Sequence, residues 1–272
     1  MLTFVPTPLG NLRDITLRTL DSFESATLFL CEDTRVTHRL LSLLKEREIL
    51  NEMPEAEFLS FHEHNGPARL KEIAHRLASE QVVYVSDAGM PGISDPGQLL
   101  VEYCQKEGID YDVLPGPSAV TVAYAASGFP SGKFLFYGFL PRKGPQRKAA
   151  LEEILRSEWD TVLYEAPHRL EKLLEEIAER DGEREIFAAK ELSKQHQHYD
   201  RGSAATLLKR LRETKGFRGE WVLVVSGKVQ DWRALYAEDL YDMDLPPKVK
   251  AKLLARLEGG KASDWYRKIL EA

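Results

Sequence analysis

The 272-residue chain is poor in features that mark several common classes of protein. It has only two cysteines, Cys31 and Cys104, which lie far apart in apolar segments. We therefore expect two buried thiols, and neither a disulfide nor a metal site. Its longest apolar runs are about six residues, far short of the roughly 20 that span a bilayer. The N-terminal segment lacks the basic and long apolar regions of a signal peptide. These absences predict a cytoplasmic protein without membrane association.

Several motifs of nucleotide-binding and hydrolytic enzymes are also missing. The sequence contains no GxxxxGK[ST] phosphate loop, no GxGxxG after the first strand, no GxSxG and no HExxH. Two histidine pairs, His62 with His64 and His196 with His198, invite a metal interpretation, because residues two apart share one face of a strand. No cysteine or third histidine has the supporting spacing, so we expect no bound metal.

Basic residues are scarce in the first part of the chain. Residues 1–117 carry 10 lysines and arginines against 19 acidic residues, whereas the remaining 155 carry 27 against 24. The net charge of −6 argues against a protein that coats nucleic acid over its whole surface. A protein that meets a polyanion only through its C-terminal half could have this distribution, and so could an ordinary enzyme.

Short apolar strands alternate with amphipathic helices along most of the chain, which is typical of an α/β fold. The Pro-Gly-Pro turn at 115–117 predicts a boundary between an N-terminal α/β domain, 1–115, and a C-terminal α/β domain, 118–228. A small helical tail, 233–272, is predicted to follow, with seven basic and five acidic residues in its last 32 positions. It either contacts RNA or is a solvated pair of helices. Asp14 and Ser118 are predicted helix caps.

Polar turns rich in glycine and proline follow five of the predicted strands. Because the carboxyl ends of parallel strands meet at one edge of a sheet, we expect these turns to form a ligand-binding edge. Rigid turns with few side chains let the backbone approach a flat ligand and bind its polar groups through N–H and C=O. The five turns are residues 6–11, 32–35, 62–65, 86–97 and 115–119.

Nine motifs carry a resemblance to a known family. They are VPTPLGNLRDIT (5–16), CEDTR (31–35), HEHN (62–65), VSDAGMPGISDPG (85–97), LPGPSA (114–119), YGFLPRK (137–143), YEAPHRL (164–170), KELSK (190–194) and GEWVLVV (219–225). Together they resemble the tetrapyrrole methylase superfamily, and within it the branch of bacterial small-subunit ribosomal RNA methyltransferases. The long SDAG–SDPG run combined with EDTR and YEAPHR is far more specific than a lone glycine motif. The resemblance spans nearly the whole chain, including the tail.

The resemblance implies two α/β domains of unlike topology, a homodimer, and S-adenosylmethionine in the cleft between the domains. It implies methylation of a cytidine ribose 2′-hydroxyl near the decoding centre, with small-subunit ribosomal RNA or the 30S subunit as substrate. Three positions depart from the branch, which usually has Thr at Met90, Arg at Lys190 and Glu at Gln197. The cofactor contacts carried over are Leu9, Asp87, Met90, Ile93, Ser118, Ala119, Glu165, Ala166 and Glu220.

Methyl transfer from a sulfonium is an in-line displacement on an activated carbon, so positioning supplies most of the catalysis. A ribose hydroxyl still needs its proton accepted or its oxygen polarised. Asp33 and His64 are the predicted catalytic residues, with Asn65 and Asp87 as further candidates, and the spacing singles out no base. Asp33 with Arg35 fits an ion pair as well as it fits a contact to ribose or phosphate.

Substrate contacts are predicted at Arg35, at Asn65 and in a basic cluster. Asn65, beside His64, fits a hydrogen bond to substrate or a role in holding its loop. The basic residues grip RNA phosphates, or they belong to a solvated loop. They are Arg142, Lys143, Arg147 and Lys148, with Arg169, Lys190 and Lys194 on later turns.

Other functions remain open on the sequence alone. A methylase of the same fold could act on a precorrin-like tetrapyrrole or on a modified protein side chain. The basic C-terminal half and the tail, which a macrocycle does not need, favour RNA. A non-enzymatic RNA-binding or ribosome-assembly module would predict a degraded cofactor cleft, whereas the turns here are intact apart from the departures named.

Overall fold

A computed structural model describes residues 1–228 and 236–271 of the chain. The chain divides into two compact units, Met1–Lys228 and Val229–Ala272. The first unit contains two five-stranded sheets, one wholly parallel and one mixed. The predicted α/β class is confirmed, and the two sheets differ in topology.

The first sheet has apolar strands that are buried between two layers of helices. Its strand order is β3-β2-β4-β1-β5, and all neighbouring strands are parallel. Three central strands are buried along their whole length, as in parallel sheets covered on both faces. The elements are β1 (Leu2–Val5), α1 (Leu17–Ser25), β2 (Leu28–Cys31), α2 (Thr34–Glu46), β3 (Glu57–Ser60), α3 (Gly66–Leu77), β4 (Val82–Val85), α4 (Gly97–Glu107) and β5 (Tyr111–Val113).

The second sheet is mixed, with the order β6-β7-β10-β8-β9. Only β6 and β7 pair in parallel; the other neighbours are antiparallel. One face packs against α6, α7 and α8, and the other against α5. The elements are α5 (Ala119–Ser127), β6 (Phe134–Phe139), α6 (Pro145–Arg156), β7 (Asp160–Glu165), α7 (Pro167–Ala178), β8 (Glu185–Lys190), β9 (His198–Ser203), α8 (Ala204–Thr214) and β10 (Trp221–Val225).

One predicted cap is wrong, and another lies at its predicted position. Thr16, not Asp14, caps α1, because its hydroxyl accepts a hydrogen bond from the backbone N–H of Thr19 at 3.1 Å. Asp14 instead ends a short 3-10 turn and accepts a hydrogen bond from the hydroxyl of Ser193. Ser118 is the N-terminal cap residue of α5, but its side chain makes no capping hydrogen bond.

The division of the first unit into two domains stays a prediction. The first sheet ends with β5 at Val113, and α5 packs through Val120 and Ala123 against the second sheet. The predicted boundary at 115–118 falls between these two elements. No helix in the described part of the chain is long and apolar enough to cross a membrane.

The second unit is helical over its described residues, as the sequence predicted. Of the predicted tail, 233–272, positions 233–235 and 272 lie outside the described residues. The helices within residues 236–271 are α9 (Ala237–Asp242), α10 (Pro247–Leu257) and α11 (Ala262–Glu271).

Candidate functional site

The carboxyl ends of the first sheet share one edge, and the five predicted turns all follow strands there. Two of the turns are joined by a short ladder. The N–H of Thr7 donates to the carbonyl of Gly89 at 3.0 Å, and the N–H of Gly89 donates to the carbonyl of Thr7 at 3.0 Å. The Thr7 hydroxyl also donates to the carbonyl of Ser86 at 3.3 Å. The turn after β1 and the turn after β4 therefore hold each other in place.

Two adjoining cavities lie at this edge, and the larger is also lined by residues of the second sheet. The larger cavity has a volume of about 560 Å³ and the smaller about 90 Å³. Leu9, Glu32 and Tyr164 are among the residues that line both. Every predicted cofactor residue lines at least one of the cavities: Leu9, Asp87, Met90, Ile93, Ser118, Ala119, Glu165, Ala166 and Glu220.

The long turn after β4 is organised around one carboxylate. Asp95 accepts hydrogen bonds from the N–H of Gly92 at 2.7 Å and of Gly97 at 2.9 Å. It also accepts from the Tyr84 hydroxyl at 2.7 Å, and burial together with this carboxylate raises the pKa of Tyr84. Gly89 and Gly92 have φ values of 83° and 81°, which strongly favour glycine. The turn is thus fixed by specific bonds and backbone angles.

Three acidic residues form a chain across the turns after β2 and β4. The N–H of Asp87 donates to Oε2 of Glu32 at 3.3 Å, and the N–H of Asp33 donates to Oδ1 of Asp87 at 3.1 Å. Burial raises the pKa of Glu32 and of Asp87. Glu32 was not among the predicted site residues, although it follows a buried strand in the CEDTR motif. That position was the signal that could have found it.

The Asp33 carboxylate, by contrast, is occupied by its neighbour Arg35. The guanidinium donates from Nε to Oδ1 at 3.0 Å and from Nη2 to Oδ2 at 2.5 Å. The backbone N–H of Arg35 adds a third bond at 2.9 Å. These bonds lower the pKa of Asp33 to about 2, which makes it a weak base. Its catalytic role stays a prediction, and the geometry supports the alternative ion pair.

The turn after β3 lies outside the lining of both cavities. His64 is exposed, and its ring centroid is 5.9 Å from that of His62. The Asn65 amide accepts from the N–H of His62 at 2.8 Å and donates to the carbonyl of Ser60 at 3.1 Å. These bonds support the loop-holding alternative for Asn65. Within residues 1–228 and 236–271, no group of three or more His, Cys, Asp and Glu side chains is arranged to hold a metal ion.

The predicted basic cluster separates into exposed and buried cations. Arg142, Lys143 and Lys148 are exposed around the start of α6. Arg147 is only 4% exposed and lies between Glu165 and Glu176, with nitrogen–oxygen distances of 3.6 Å and 2.8 Å. The three exposed residues are therefore the members of this stretch that a polyanion can reach.

Arg169 joins Arg147 in fixing the loop before α6. Its Nε lies 3.0 Å from Oε1 of Glu165, and its Nη2 donates to the carbonyl of Leu140 at 2.6 Å. Arg147 donates to the carbonyl of Pro141 at 3.2 Å. Burial raises the pKa of Glu165, and the two arginines oppose that rise. Both predicted RNA contacts are thus engaged within the protein, and an RNA role for them stays a prediction.

The turn after β8 meets the larger cavity from the second sheet. Lys194 pairs with Glu220 at 2.9 Å and with Glu191 at 3.4 Å, so its charge is balanced within the protein. Lys190 lies over the Trp221 ring at 5.5 Å, and Gln197 accepts from the N–H of Ser193 at 2.6 Å. Two of the three departures from the branch pattern therefore have contacts of their own.

An exposed aromatic side chain lines the larger cavity. Phe139 at the end of β6 is 55% exposed, and its ring centroid is 5.4 Å from that of Tyr164. The ring therefore presents an open aromatic face at the wall of this cavity. The exposed cations Arg142 and Lys143 follow it in the chain by three and four positions.

Comparison with known proteins shows the family. A family model described as Tetrapyrrole (Corrin/Porphyrin) Methylases matches residues 1–208. The chain is 41% identical over 284 residues to Ribosomal RNA small subunit methyltransferase I of Helicobacter pylori, covering 100% of this chain and 99% of the relative. It is 45% identical over 228 residues to the protein of the same name in Thermotoga maritima, covering 84% and 98%.

Solved structures of low sequence identity share the fold. A cobalt precorrin-4 methyltransferase aligns with a TM-score of 0.60 at 17% identity, covering 83% of this chain and 94% of that one. A uroporphyrin-III C-methyltransferase from Thermus thermophilus, complexed with S-adenosylhomocysteine, aligns with a TM-score of 0.56 at 16% identity, covering 83% and 96%. The chain belongs to the tetrapyrrole methylase family, and within it to the ribosomal RNA small subunit methyltransferase I group.

Proposed function

We propose that the chain is an S-adenosylmethionine-dependent methyltransferase that modifies the 2′-hydroxyl of a cytidine ribose in small-subunit ribosomal RNA, near the decoding centre. The observation that carries the proposal is the convergence on two adjoining cavities of the nine cofactor residues that the family resemblance implies. The names of the full-length relatives support the RNA substrate. The structural neighbour with S-adenosylhomocysteine supports the cofactor.

The residues at the larger cavity fit the proposed cofactor. Its volume of about 560 Å³ lies within the usual range for small-molecule sites. Side chains of Leu9 and Val222 offer apolar walls, while the carboxylate of Asp87 favours a ligand that carries positive charge. S-adenosylmethionine supplies an electrophilic methyl group on a cationic sulfur. The cavity would hold that methyl group close to an incoming hydroxyl, which is the positioning that this displacement needs.

Exposed groups beside the cavity support a nucleic acid over a macrocycle. Phe139 offers an aromatic face of the kind on which unpaired bases stack. Arg142, Lys143 and Lys148 add positive charge that is free to meet phosphates. A precorrin methylase needs no such loop. A non-enzymatic RNA-binding module would not need the nine cavity residues to remain together.

The proposal is tested on ribosomal RNA from a strain that lacks the gene. Primer extension at limiting nucleotide concentration should lose one ribose-methyl stop in the small-subunit RNA, and the purified protein with S-adenosylmethionine should restore it. Free RNA and 30S subunits are supplied in separate reactions to identify the substrate. An unchanged stop pattern in the deletion strain would refute the RNA substrate, and calorimetry without cofactor binding would support the non-enzymatic module.

The homodimer and the cytoplasmic location are further parts of this proposal. Cys31 and Cys104 are free and buried, which suits a reducing compartment. Sedimentation velocity of the full chain across a concentration series tests the dimer, because a single monomeric species at micromolar concentration would contradict it.

A further inference from the structure

We propose that Glu32 is the base that accepts the hydroxyl proton of the RNA during methyl transfer. This inference rests on the proposed function and assigns a residue to the step that the sequence left open. Glu32 lies at the carboxyl end of β2 and lines both the smaller and the larger cavity. A side chain placed where the two cavities adjoin can reach a substrate group that meets the cofactor there.

The Glu32 carboxylate is held at one oxygen and available at the other. Oε2 accepts the N–H of Asp87 at 3.3 Å, which anchors the side chain to the turn after β4. Among the described residues, no hydrogen-bond donor or ion-pair partner contacts Oε1. This oxygen is also not among the buried atoms that lack a partner, so it is open to solvent or to a ligand. One acceptor position is thus free at the wall of the cavities.

The other acids that line the cavities have competing partners. Glu165 is fully buried beside two arginines, and Glu220 pairs with a lysine at 2.9 Å. Asp95 already accepts three hydrogen bonds within its turn. Asp87 lines only the larger cavity and accepts the N–H of Asp33. Glu32 therefore combines contact with both cavities, a free oxygen and freedom from any cationic partner in the described chain.

The electrostatic setting of Glu32 suits a base better than that of Asp33. Burial raises the pKa of Glu32, and the neighbouring carboxylates of Asp87, Asp95 and Asp33 raise it further, against the N–H of Asp87. A carboxylate with a raised pKa binds a proton more tightly and is a stronger base. The arginine partner of Asp33 has the opposite effect.

The proposed step transfers a methyl group to the ribose oxygen and a proton to Glu32. The ribose oxygen forms a bond to the methyl carbon while the carbon–sulfur bond breaks, and the electron pair of that bond stays on sulfur. The hydroxyl proton moves to Oε1 of Glu32. The products are the 2′-O-methyl ribose, the uncharged thioether and a protonated Glu32, which then returns its proton to water.

The test compares Glu32→Gln with the wild type and with Glu46→Gln, an exposed glutamate at the end of α2. The amide introduced by Glu32→Gln keeps an oxygen for the Asp87 N–H but cannot take up a proton. We expect kcat on 30S subunits or RNA to fall at least 100-fold, within the range typical for loss of a general base. The Glu46→Gln control should remain within twofold of the wild type.

Ligand binding provides a readout that does not depend on turnover. Calorimetry measures the affinity of each variant for cationic S-adenosylmethionine and for uncharged S-adenosylhomocysteine. If Glu32 faces the hydroxyl, Glu32→Gln should change both dissociation constants less than threefold. A selective loss of more than tenfold for S-adenosylmethionine would overturn the proposal, since Glu32 would then bind the sulfonium charge.

The pH profile separates proton acceptance from a structural role. For the wild type, kcat/KM should rise tenfold per pH unit at low pH and then reach a plateau. The midpoint of this acid limb should lie above 4.5, the ordinary pKa of glutamate. Glu32→Asp should regain part of the activity and the acid limb, and Glu32→Gln should lack the limb.

Retention of more than a third of wild-type kcat by Glu32→Gln would overturn the assignment. If kcat instead fell at least 100-fold in Asp87→Asn and not in Glu32→Gln, the role of base would pass to Asp87. A wild type that binds cofactor but methylates no ribosomal RNA would instead refute the proposed function, and the base assignment with it.

Discussion

Acidic residues at the sheet edge differ mainly in the partners that hold them. Asp33 and Glu32 are adjacent in one motif, yet Asp33 is bound by a guanidinium and Glu32 is not. The sequence predicted that the turn after β2 reaches the edge, because a strand pattern and a sheet rule suffice for that. Which of two neighbouring carboxylates pairs with Arg35 depends on side-chain directions after the strand ends. That information is absent from residue spacing.

Asp95 is the residue on which the shape of the long turn depends most. Asp95→Ala removes the acceptor of three hydrogen bonds, two of them from backbone N–H groups. We expect a loss of about 1–3 kcal/mol in the free energy of unfolding, because these donors lose their partner. The affinity for S-adenosylmethionine should fall about tenfold, since the turn lines the smaller cavity.

Urea unfolding and calorimetry measure the two effects of Asp95→Ala. Gln98→Ala is a suitable control beside the same turn, because its exposed side chain donates a single hydrogen bond within the described residues, to the carbonyl of Gly92. Equal effects of the two substitutions on cofactor affinity would show that Asp95 does not organise the turn.

Helices and loops of the second sheet are held by a buried group of charges. Glu165 at the end of β7 meets Arg147 from α6 and Arg169 from α7, and the arginines donate to the carbonyls of Leu140 and Pro141. The sequence placed the two arginines in an RNA-binding cluster because all basic residues look alike in a charge count. Burial distinguishes them, and it follows from helix packing that spacing alone does not give.

Glu165→Gln should weaken this group of charges while keeping a side chain of the same size. The substitution leaves Arg169, whose Nε lies 3.0 Å from Oε1 of Glu165, facing a neutral amide, while Arg147 keeps its pair with Glu176. Breaking a buried pair of this kind costs about 3 kcal/mol. Urea unfolding should detect that loss. Limited digestion with trypsin should cleave the exposed loop at Arg142 and Lys143 faster than in the wild type.

Glu176→Gln is the matched control for Glu165→Gln. Glu176 also pairs with Arg147, but its side chain is 22% exposed and water can replace it. Its loss should cost about 1 kcal/mol or less. If Glu176→Gln lowers the free energy of unfolding as much as Glu165→Gln does, the buried pair with Glu165 contributes no more to stability than the pair with Glu176.

The loop between β6 and α6 carries exposed cations whose charge can be reversed without altering a cavity. Arg142→Glu with Lys143→Glu reverses two exposed charges, so RNA affinity should fall. The slope of the logarithm of the binding constant against the logarithm of salt concentration should become shallower by about two. Cofactor affinity should stay unchanged because neither residue lines a cavity. Filter binding across a salt series measures both, with Lys106→Glu on the exposed face of α4 as control. An equal loss in that control would point to general charge repulsion.

Across the two sheets, the sequence predicted most strands and helices but not all of the strand pairing. Alternating apolar strands and helices predicted the first sheet, whose three central strands are buried apolar runs. The strand β9 was missed, because its sequence HYDRGS is polar and largely exposed. Its place is set by antiparallel pairing with β8. Long-range pairing of this kind is a property of the assembled sheet and leaves no local pattern.

The first compact unit, Met1–Lys228, can be studied without the second. A chain that ends at Lys228 keeps both sheets, all four buried cores and both cavities. We expect it to unfold cooperatively in urea and to bind S-adenosylmethionine within threefold of the full chain. Six of the seven basic residues within 241–272 are on α10 and α11, at Lys248, Lys250, Lys252, Arg256, Arg267 and Lys268, and Lys261 immediately precedes α11.

RNA binding by the shortened chain decides between the two interpretations of the tail. If the tail contacts phosphates, its removal should lower RNA affinity and reduce the salt slope, while cofactor affinity stays the same. If the tail is a solvated set of helices, both affinities should match those of the full chain. A shortened chain that fails to fold would contradict the independence of the first unit, and circular dichroism would reveal that outcome before any binding is measured.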